Sequence, residues 1–410
     1  MKDRSKKVCV VGLGYIGLPT AALLSNNGYK VFGVDIDPIA VETINRGQIH
    51  IVEPDLDIFV QSAVNSGFLK AYLTPQSADI YMICVPTPFS QGEGIPTPNL
   101  DYVITATKSI APLLKNGDVV VLESTSPVGA TNTVETVLRD EGVDTSNLYI
   151  AYCPERVLPG SIMVELIEND RIIGGLNESS IRVVSDFYKT FVRGEVLETS
   201  AKMAEMCKLT ENSFRDVNIA FANELSKICK THLIDVWELI RLANHHPRVD
   251  ILSPGTGVGG HCIAVDPWFI VSGDPENAQL IRKAREVNDS KPDWVFESIL
   301  REVKANSANN TSESKAKVAC LGLSFKPNID DLRESPAVKV VRALKEMDVD
   351  LVVVEPNIQN HTEFTLVTLK EALLQADVVV VLVKHREFLS SEVKAELLKL
   401  GAIDFCGVFA

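Results

Sequence analysis

The chain has 410 residues, of which 46% are hydrophobic, 23% charged and 6% aromatic, and its formal net charge is −14. At roughly 150 residues per domain, this length predicts two or three domains, each with its own core. The composition excludes a disordered chain. The acidic balance disfavours nucleic acid and anionic membranes as partners.

The cysteines and the N-terminal segment give information on the cellular compartment of the protein. Eight cysteines are dispersed without any CxxC pair. The apolar run 8–24 imitates a signal peptide, but it contains three glycines and a proline and leads directly into a second β-rich run. No segment has the ~18 apolar residues of a membrane span. We therefore expect reduced thiols and a cytoplasmic protein.

Over the first 200 residues, short β-branched runs alternate with helical patterns. The predicted strands are 8–12, 30–35, 80–85, 118–122, 148–152 and 171–174. The predicted helices are 15–27, 38–47, 55–66, 100–115, 129–140 and 177–192. This alternation predicts a Rossmann-like domain over 1–200, with a doubly wound, mostly parallel sheet.

The strand pattern stops in the block 201–302. Residues 202–232 contain no proline or glycine and predict one long helix, and 233–244 and 277–302 are also helical in pattern. We expect a central helical domain here that acts as a spacer and as a dimerisation element. The polar stretch 303–316 indicates a linker.

The strand–helix–strand pattern returns in 315–410. Its predicted elements are the strand 318–323, the helix 335–347, the strand 350–356 and a further strand at 377–383. The predicted fold is therefore α/β, with two Rossmann-like doubly wound parallel-sheet domains joined by a central helical domain.

A dinucleotide-binding pattern lies at the first predicted strand. Gly12, Gly14 and Gly17 form GxGxxG between a strand and a helix, and the next strand ends at Asp35. The backbone amides of Tyr15 and Ile16 are expected to face the phosphates at the start of the helix. A carboxylate at Asp35 favours NAD over NADP, and the alternative is a Rossmann-like domain that binds another nucleotide.

Two later strand ends carry polar residues, in VPTP (85–88) and ESTSPVG (123–129). Loops at the carboxyl ends of parallel strands line the cofactor crevice, so Thr87 and Thr125 are candidate contacts to the nicotinamide half. Each threonine, taken alone, is more typical of a helix cap or a turn than of a cofactor contact.

Three segments further along supply candidate catalytic residues. Lys208, Asn212 and Arg215 share one face of the long helix. The opposite set is expected to pack, and it consists of Met206, Leu209, Val217, Phe221 and Leu225. A stripe of this kind is also typical of a solvated face.

The loop PGTGVGGHCIAVDP (254–267) presents Cys262 and Asp266, and its glycines allow the backbone to wrap a ligand closely. Cys262 is either a nucleophile or inert, and a metal site at His261–Cys262 is disfavoured because no second Cys/His pair has ligand spacing. Glu155 and Arg156 in CPERVLPG (153–160) indicate either crevice residues or a salt-bridged turn.

Together these segments resemble the UDP-sugar 6-dehydrogenase family, which includes UDP-glucose dehydrogenase. The matching motifs span nearly the whole chain, and they are GLGYIGLPT (12–20), VPTP, ESTSPVG, CPERVLPG, KLTENSFRDVNIAFANEL (208–225), PGTGVGGHCIAVDPWF (254–269) and FKPNIDDLRESPA (325–337). The sequences of HPRV (246–249) and of 257–269 are most similar to the branch that acts on UDP-N-acetyl-D-mannosamine.

The resemblance implies a four-electron, NAD-dependent oxidation of the sugar C6 alcohol to a carboxylate, giving a precursor for cell-surface polysaccharide. It implies Cys262 as the nucleophile that forms a thiohemiacetal and then a thioester. Lys208 and Asn212 would stabilise the C6 oxygen, Asp266 would position or activate the water or the thiol, and Glu155 would be the hydrolytic base.

The resemblance also implies a nucleotide-sugar site and a homodimer with shared active sites, in which Arg248 reaches the neighbouring site. The implied substrate-binding residues are Arg156, Val157, Lys208, Asn212, Arg215, His246, Arg248, Gly259, Lys326 and Arg333. Val265 departs from the UDP-glucose branch, which usually has a lysine between the cysteine and the aspartate. This favours an N-acetylated sugar.

Several alternatives stay open at this point. UDP-N-acetylglucosamine or UDP-glucose could be the substrate, the enzyme could be a two-electron dehydrogenase, and a non-catalytic NAD-binding regulator is a different class. The segment GLSF (322–325) stands where a dinucleotide fold would have its second and third glycines. The C-terminal half is therefore expected to hold uridine rather than NAD.

Overall fold

The computed structural model describes residues 6–90, 94–158, 160–260, 262–309, 315–347 and 349–410. The chain divides into two compact units, Met1–Thr210 and Glu211–Ala410. The boundary falls within one long helix. His261, which entered the metal hypothesis, lies outside the described residues.

The first unit is built on an eight-stranded sheet with the order β10-β9-β8-β7-β4-β1-β2-β3, and β5 and β6 form a small separate hairpin. Its strands are β1 (Lys7–Val11), β2 (Lys30–Val34), β3 (Leu69–Tyr72), β4 (Ile80–Ile83), β5 (Phe89–Ser90), β6 (Thr97–Pro98), β7 (Val119–Leu122), β8 (Tyr149–Tyr152), β9 (Arg171–Gly175) and β10 (Val196–Ser200). All the pairs in the large sheet are parallel except β8 with β9. The doubly wound, mostly parallel sheet predicted from the sequence is confirmed.

Helices cover both faces of this sheet. They are α1 (Gly17–Asn26), α2 (Pro38–Asn45), α3 (Leu56–Asn65), α4 (Asp101–Ile110), α5 (Ala130–Asp140), α6 (Ile162–Glu168) and α7 (Glu178–Tyr188). Alternate residues of β1 enter different hydrophobic clusters, Val8 and Val10 on one face and Cys9 and Val11 on the other. This burial of both faces explains why the strand is continuously apolar.

The long helix α8 runs from Ala201 to His232, as its composition predicts. It is followed by α9 (Val236–Ala243), α10 (Asp266–Gly273), α11 (Gln279–Asp289) and α12 (Lys291–Asn309). The linker prediction is wrong for 303–309, because α12 continues to Asn309. Residues 310–314 of the predicted linker lie outside the described residues. Buried Val303 anchors the extension, and a polar composition alone does not reveal such a contact.

The second unit contains a four-stranded, all-parallel sheet with the order β12-β11-β13-β14. Its strands are β11 (Lys317–Leu321), β12 (Asp350–Val354), β13 (Val378–Val381) and β14 (Ile403–Asp404), and its helices are α13 (Pro336–Lys345), α14 (Leu369–Gln375) and α15 (Ser391–Lys399). This confirms the second Rossmann-like fold.

Among the described residues, no helix is both long and apolar enough to cross a membrane. The eight cysteines are thiols rather than disulfides.

Candidate active site

The glycine motif forms a tight turn between β1 and α1. Gly12 has a φ of +92°, and its amide donates to the Val34 carbonyl over 2.8 Å. A Cβ at Gly17 would lie 1.8 Å from the Gly12 oxygen, whereas a Cβ at Gly14 would meet no atom within 4 Å. The loop backbone therefore leaves no room for a side chain at Gly17, whereas the space beside Gly14 is open. Ile16 is the N-cap of α1, so this helix start fits a pyrophosphate.

Asp35 follows β2 and is partly exposed. Its Oδ2 accepts the Leu13 amide at 2.9 Å and its Oδ1 accepts the Asp37 amide at 3.0 Å. Each carboxylate oxygen has a second lone pair, so both can still accept a ribose hydroxyl. Ile36, which the sequence analysis did not single out, is 86% exposed and gives an apolar surface next to Asp35. The position of Ile36 directly after the strand-end acid is the sequence feature that could have indicated it.

The two threonine loops meet at the topological switch point of the sheet, where the strand order reverses between β1 and β4. Thr87 Oγ1 donates to the Thr125 carbonyl at 2.5 Å, and Ser124 Oγ donates to the Val85 carbonyl at 2.7 Å. The structure therefore brings Thr87 and Thr125 together.

Glu155 is buried and already bound on both oxygens. Oε2 accepts from Arg171 Nη1 at 2.7 Å, and Oε1 accepts the Arg156 amide at 2.6 Å. The Arg156 side chain donates to the Asp170 carbonyl at 3.3 Å, and Val157 packs against the core of this unit. Glu155 is therefore salt-bridged, with Arg171 on β9 as a partner that the sequence did not indicate.

A second buried carboxyl lies in this unit at the end of β7. Glu123 accepts hydrogen bonds from the Tyr188 hydroxyl and from the Cys84 thiol. Burial, together with the charge of Glu155, raises the pKa of Glu123 to about 7. The sequence shows a strand-end glutamate here but gives no sign of its partners.

Lys208 lies on α8 and is 9% exposed. One turn earlier, the buried Glu205 accepts the amides of Gly129 and Thr131 at 2.6 and 2.8 Å. A carboxylate at the start of α5 satisfies orphan helix amides and favours the positive end of the helix dipole. Glu205 therefore fixes the α8 turn that carries Lys208.

In the second unit, Asn212 and Asp266 are in direct contact. Asn212 Nδ2 donates to Asp266 Oδ2 at 2.5 Å, and both side chains are buried. The Asp266 amide donates to the Cys262 carbonyl at 2.8 Å, which closes the turn before α10. Cys262 itself is partly exposed. This arrangement brings together three of the catalytic candidates.

A buried polar network holds both ends of the Cys262 loop. Asn223 on α8 accepts the Gly255 amide at 2.9 Å and donates to Asn288, which in turn donates to Asp216. Arg285 pairs with Asp216 at 2.5 Å and donates to the Ile263 carbonyl at 3.3 Å. Burial raises the pKa of Asp216 to about 6, although Arg285 opposes this.

The remaining substrate candidates fall into two groups. The Gly260 amide donates to the Arg333 carbonyl at 3.2 Å, and a Cβ at Gly259 would lie 2.6 Å from the Glu334 oxygen, so this glycine loop contacts the segment 325–336. Lys326 is exposed nearby in sequence.

Arg215, His246 and Arg248 are exposed, and the Arg248 amide donates to His246 Nδ1 at 3.3 Å. Met206 and Phe221 are also exposed, so the expectation of packing within the chain is wrong for these two residues, whereas Leu209 is buried as expected. Exposed apolar residues on a helix remain available to another surface, which sequence spacing cannot tell from a core.

The C-terminal glycine turn repeats the first one in detail. The Gly322 amide donates to the Val354 carbonyl at 2.8 Å, and φ is +96°. Gly322 therefore occupies the first-glycine position and Ser324 the second, which corrects the expected alignment. The amides of Leu323 and Ser324 both donate to the buried Glu355, so they are not available to a phosphate.

No group of three or more potential ligands in the described segments is arranged to hold a metal ion.

A strand, glycine turn, helix and strand-end acid define a dinucleotide-binding domain of the Rossmann class. Three models of the UDP-glucose/GDP-mannose dehydrogenase family match the chain: the NAD binding domain at 6–192, the central domain at 202–290 and the UDP binding domain at 319–409. The chain belongs to this family and is an NAD-dependent UDP-sugar dehydrogenase.

Three comparisons illustrate the similarity. UDP-N-acetyl-D-mannosamine dehydrogenase of Yersinia pestis is 56% identical over 397 residues, covering 93% of this chain and 94% of the relative. NDP-N-acetyl-D-galactosaminuronic acid dehydrogenase of Ralstonia solanacearum is 52% identical, covering 93% and 92%. The structure of the UDP-D-ManNAc dehydrogenase of Pyrococcus horikoshii superposes with a TM-score of 0.88 at 37% identity, covering 98% and 96%.

Proposed function

We propose that this enzyme oxidises UDP-N-acetyl-D-mannosamine at C6 to UDP-N-acetyl-D-mannosaminuronate, through a thioester on Cys262. The observation that carries the chemistry is the Asn212–Asp266 contact at the Cys262 turn. When bound, NAD⁺ accepts one hydride from C6 in each of the two oxidations.

The first oxidation removes a hydride from C6 and the proton from its hydroxyl, which leaves the C6 aldehyde. The Cys262 thiolate adds to the C6 aldehyde, and the carbonyl oxygen takes a proton to give a thiohemiacetal. Loss of that proton and of a hydride from C6 leaves a thioester. Water then adds to the thioester carbonyl, the C–S bond breaks, and the carboxylate and the thiol are released.

The neighbouring groups have distinct roles in this scheme. Lys208 and Asn212 donate to the C6 oxygen while it carries negative charge. Asp266 orients the Asn212 amide and accepts a proton from the thiol or from water. Glu155 is the base for hydrolysis, since each of its bound oxygens has a second lone pair.

For the cofactor, Gly14, Tyr15 and Ile16 offer backbone to the pyrophosphate and Asp35 binds the ribose. Thr87 and Thr125 contact the nicotinamide half. The substrate set is the one implied by the family resemblance, with Lys326 and Arg333 on the UDP. The matched ranges support the proposed domains 1–200, 201–302 and 315–410.

We also propose a homodimer built on α8. Phe214, Phe221 and Ile228 lie seven residues apart along this helix and are 67%, 52% and 48% exposed. An exposed apolar stripe of this length fits a second copy of the helix. In such a dimer Arg248 would complete the neighbouring site. The eight thiols support a cytoplasmic location.

A second candidate substrate is the nucleotide of N-acetyl-D-galactosamine, because the Ralstonia solanacearum relative is nearly as similar as the Yersinia pestis one. The test is the rate of NADH formation with UDP-N-acetylmannosamine, UDP-N-acetylgalactosamine, UDP-N-acetylglucosamine and UDP-glucose. The highest kcat/KM is expected for the first. A higher value for UDP-glucose would contradict the branch assignment, while leaving the family assignment intact.

A further inference from the structure

The C-terminal glycine turn holds a carboxylate that its N-terminal counterpart does not bury. Glu355 follows β12 as Asp35 follows β2, but the Glu355 side chain is fully buried. Its Oε2 accepts the Leu323 and Ser324 amides at 2.7 and 2.9 Å, and its Oε1 accepts the Asn357 amide at 3.0 Å. Its Oε1 also accepts from the Asn357 side chain at 3.0 Å, and Glu355 has one further hydrogen-bonded neighbour among the described residues.

That neighbour is His385, which is also completely buried. His385 Nε2 lies 3.0 Å from Glu355 Oε2, while its Nδ1 receives the Asn328 amide at 3.0 Å and lies 2.9 Å from Asn357 Nδ2. A backbone N–H can only donate, so Nδ1 must be the unprotonated nitrogen. His385 is therefore the neutral tautomer with its proton on Nε2, directed to Glu355.

This tautomer makes His385 an acceptor for the loop that carries Lys326. The loop leaves the glycine turn at Ser324, whose hydroxyl donates to the Lys326 carbonyl at 2.7 Å. It reaches Asn328, which has a φ of +62° and whose Oδ1 accepts the Arg386 amide at 2.9 Å. Lys326 is exposed between these two fixed points.

The charge on Glu355 is favoured by the same contacts. Burial alone would raise the pKa of Glu355, but hydrogen bonds from His385 and from the Leu323 and Asn357 amides lower it. The carboxylate thus remains an acceptor, and the orientation of His385 follows from it.

We propose that His385, oriented by Glu355, is a positioning residue that holds the 324–328 loop so that Lys326 meets the diphosphate of a uridine nucleotide. The inference rests on the proposed function, because that assigns Lys326 to the nucleotide. It adds that UDP affinity depends on a hydrogen bond from Asn328 to an imidazole nitrogen that UDP does not touch.

The test is the Kd of UDP, measured by calorimetry on the full chain, so that no turnover is needed. His385→Leu removes both contacts and is expected to weaken UDP binding about tenfold, the scale of one lost buried hydrogen bond. The Kd of NAD should stay within about twofold, which reports that the rest of the chain is folded. His361→Leu is the matched control, because His361 Nδ1 also accepts a backbone amide, that of Glu363 at 3.0 Å, away from this loop.

Two polar substitutions separate the two nitrogens and remain informative if the leucine variant does not fold. His385→Asn places an acceptor near Nδ1, whereas His385→Gln places a donor near Nε2. We expect the asparagine variant to bind UDP more tightly than the glutamine variant by roughly threefold or more. Equal affinities for the two would overturn the proposal.

A double-mutant cycle with Lys326→Ala shows whether His385 acts through Lys326. In the Lys326→Ala background the leucine substitution at 385 should have little further effect on the UDP Kd. An unchanged tenfold effect in that background would mean that His385 acts on something other than Lys326 and would overturn the inference. If Lys326→Ala alone leaves UDP affinity unchanged, the failure lies instead in the proposed function.

Discussion

Asn212 and Asp266 are joined by a 2.5 Å hydrogen bond from Nδ2 to Oδ2, although 54 residues separate them in the chain. The contact fixes which end of the Asn212 amide is the donor, and it fixes the start of α10 four residues after Cys262. An amide oriented in advance needs no reorganisation when charge develops on a substrate oxygen.

Replacing the acceptor of this bond should slow the chemistry. We expect Asp266→Asn to lower kcat by roughly 10²-fold, because the Asn212 amide loses its fixed orientation and the site loses a proton acceptor. The measurement is steady-state NADH formation. Asp274→Asn, just after the same helix, is the control, since the described hydrogen bonds of the Asp274 side chain are all to the nearby Asn277. Equal kcat values for Asp266→Asn and Asp274→Asn would contradict this role of Asp266.

Asp35 should control the choice of cofactor. Asp35→Asn keeps an oxygen for the Leu13 amide but removes the charge, so NAD should bind roughly tenfold more weakly and the preference over NADP should fall. Kinetics with both cofactors measure this. Asp37→Asn, which keeps a polar cap on α2, should change neither the affinity for NAD nor the preference over NADP. An unaltered NAD to NADP ratio in Asp35→Asn would rule out the charge as the cause.

Glu123 should make the stability of the protein depend on pH. Its pKa is about 7 when folded against 4.5 as the ordinary value, so the folded state binds more protons between these two values. The free energy of unfolding therefore falls as the pH rises from about 5 to 7, by up to ~3 kcal/mol. Glu123→Gln keeps an oxygen for the Tyr188 hydroxyl and cannot ionise.

The Tm of Glu123→Gln, relative to that of the unchanged protein, should accordingly increase between pH 5 and pH 8. Glu135, which is partly exposed and pairs with Arg139, offers the control Glu135→Gln, for which the Tm difference should be flat with pH. A flat difference for Glu123→Gln as well would mean that the buried carboxyl does not titrate in this range.

The exposed stripe on α8 should hold the dimer. Phe221→Asp places a charge in the centre of the apolar contact and should give monomers with little activity, because Arg248 then lacks a neighbouring site. Sedimentation measures the mass. Leu280→Asp, on α11 and 70% exposed, should leave the dimer intact. A monomeric unchanged protein that is fully active would exclude a shared site.

The sequence was sufficient for the elements whose signals are local. The long helix was predicted within a residue because 202–232 has no breaker, and the first glycine turn because its strand, glycines and acid are contiguous. The edge strands β3 and β10 were missed, since Leu69–Tyr72 and Val196–Ser200 are short and only partly buried. Such strands are defined by their neighbours in the sheet rather than by their own pattern.

The site was predictable at the level of its motifs and not of its supporting contacts. Cys262 and Asp266 stand in one glycine-rich loop and could be found by reading it. Arg171, Glu205 and Arg285 lie in ordinary helical or strand sequence, and their roles come from partners 16, 74 and 69 residues away. Buried polar contacts of this kind require the folded chain, because sequence distance says nothing about them.

The most direct test of the account counts NADH per UDP-N-acetylmannosamine consumed by Cys262→Ala, with intact mass measured on the same samples. The account predicts no covalent sugar adduct, no uronate and no more than one NADH per sugar, while Cys406→Ala gives two NADH and the uronate like the unchanged enzyme. A Cys262→Ala enzyme that still forms two NADH and the uronate at near the normal rate would contradict the thioester on Cys262.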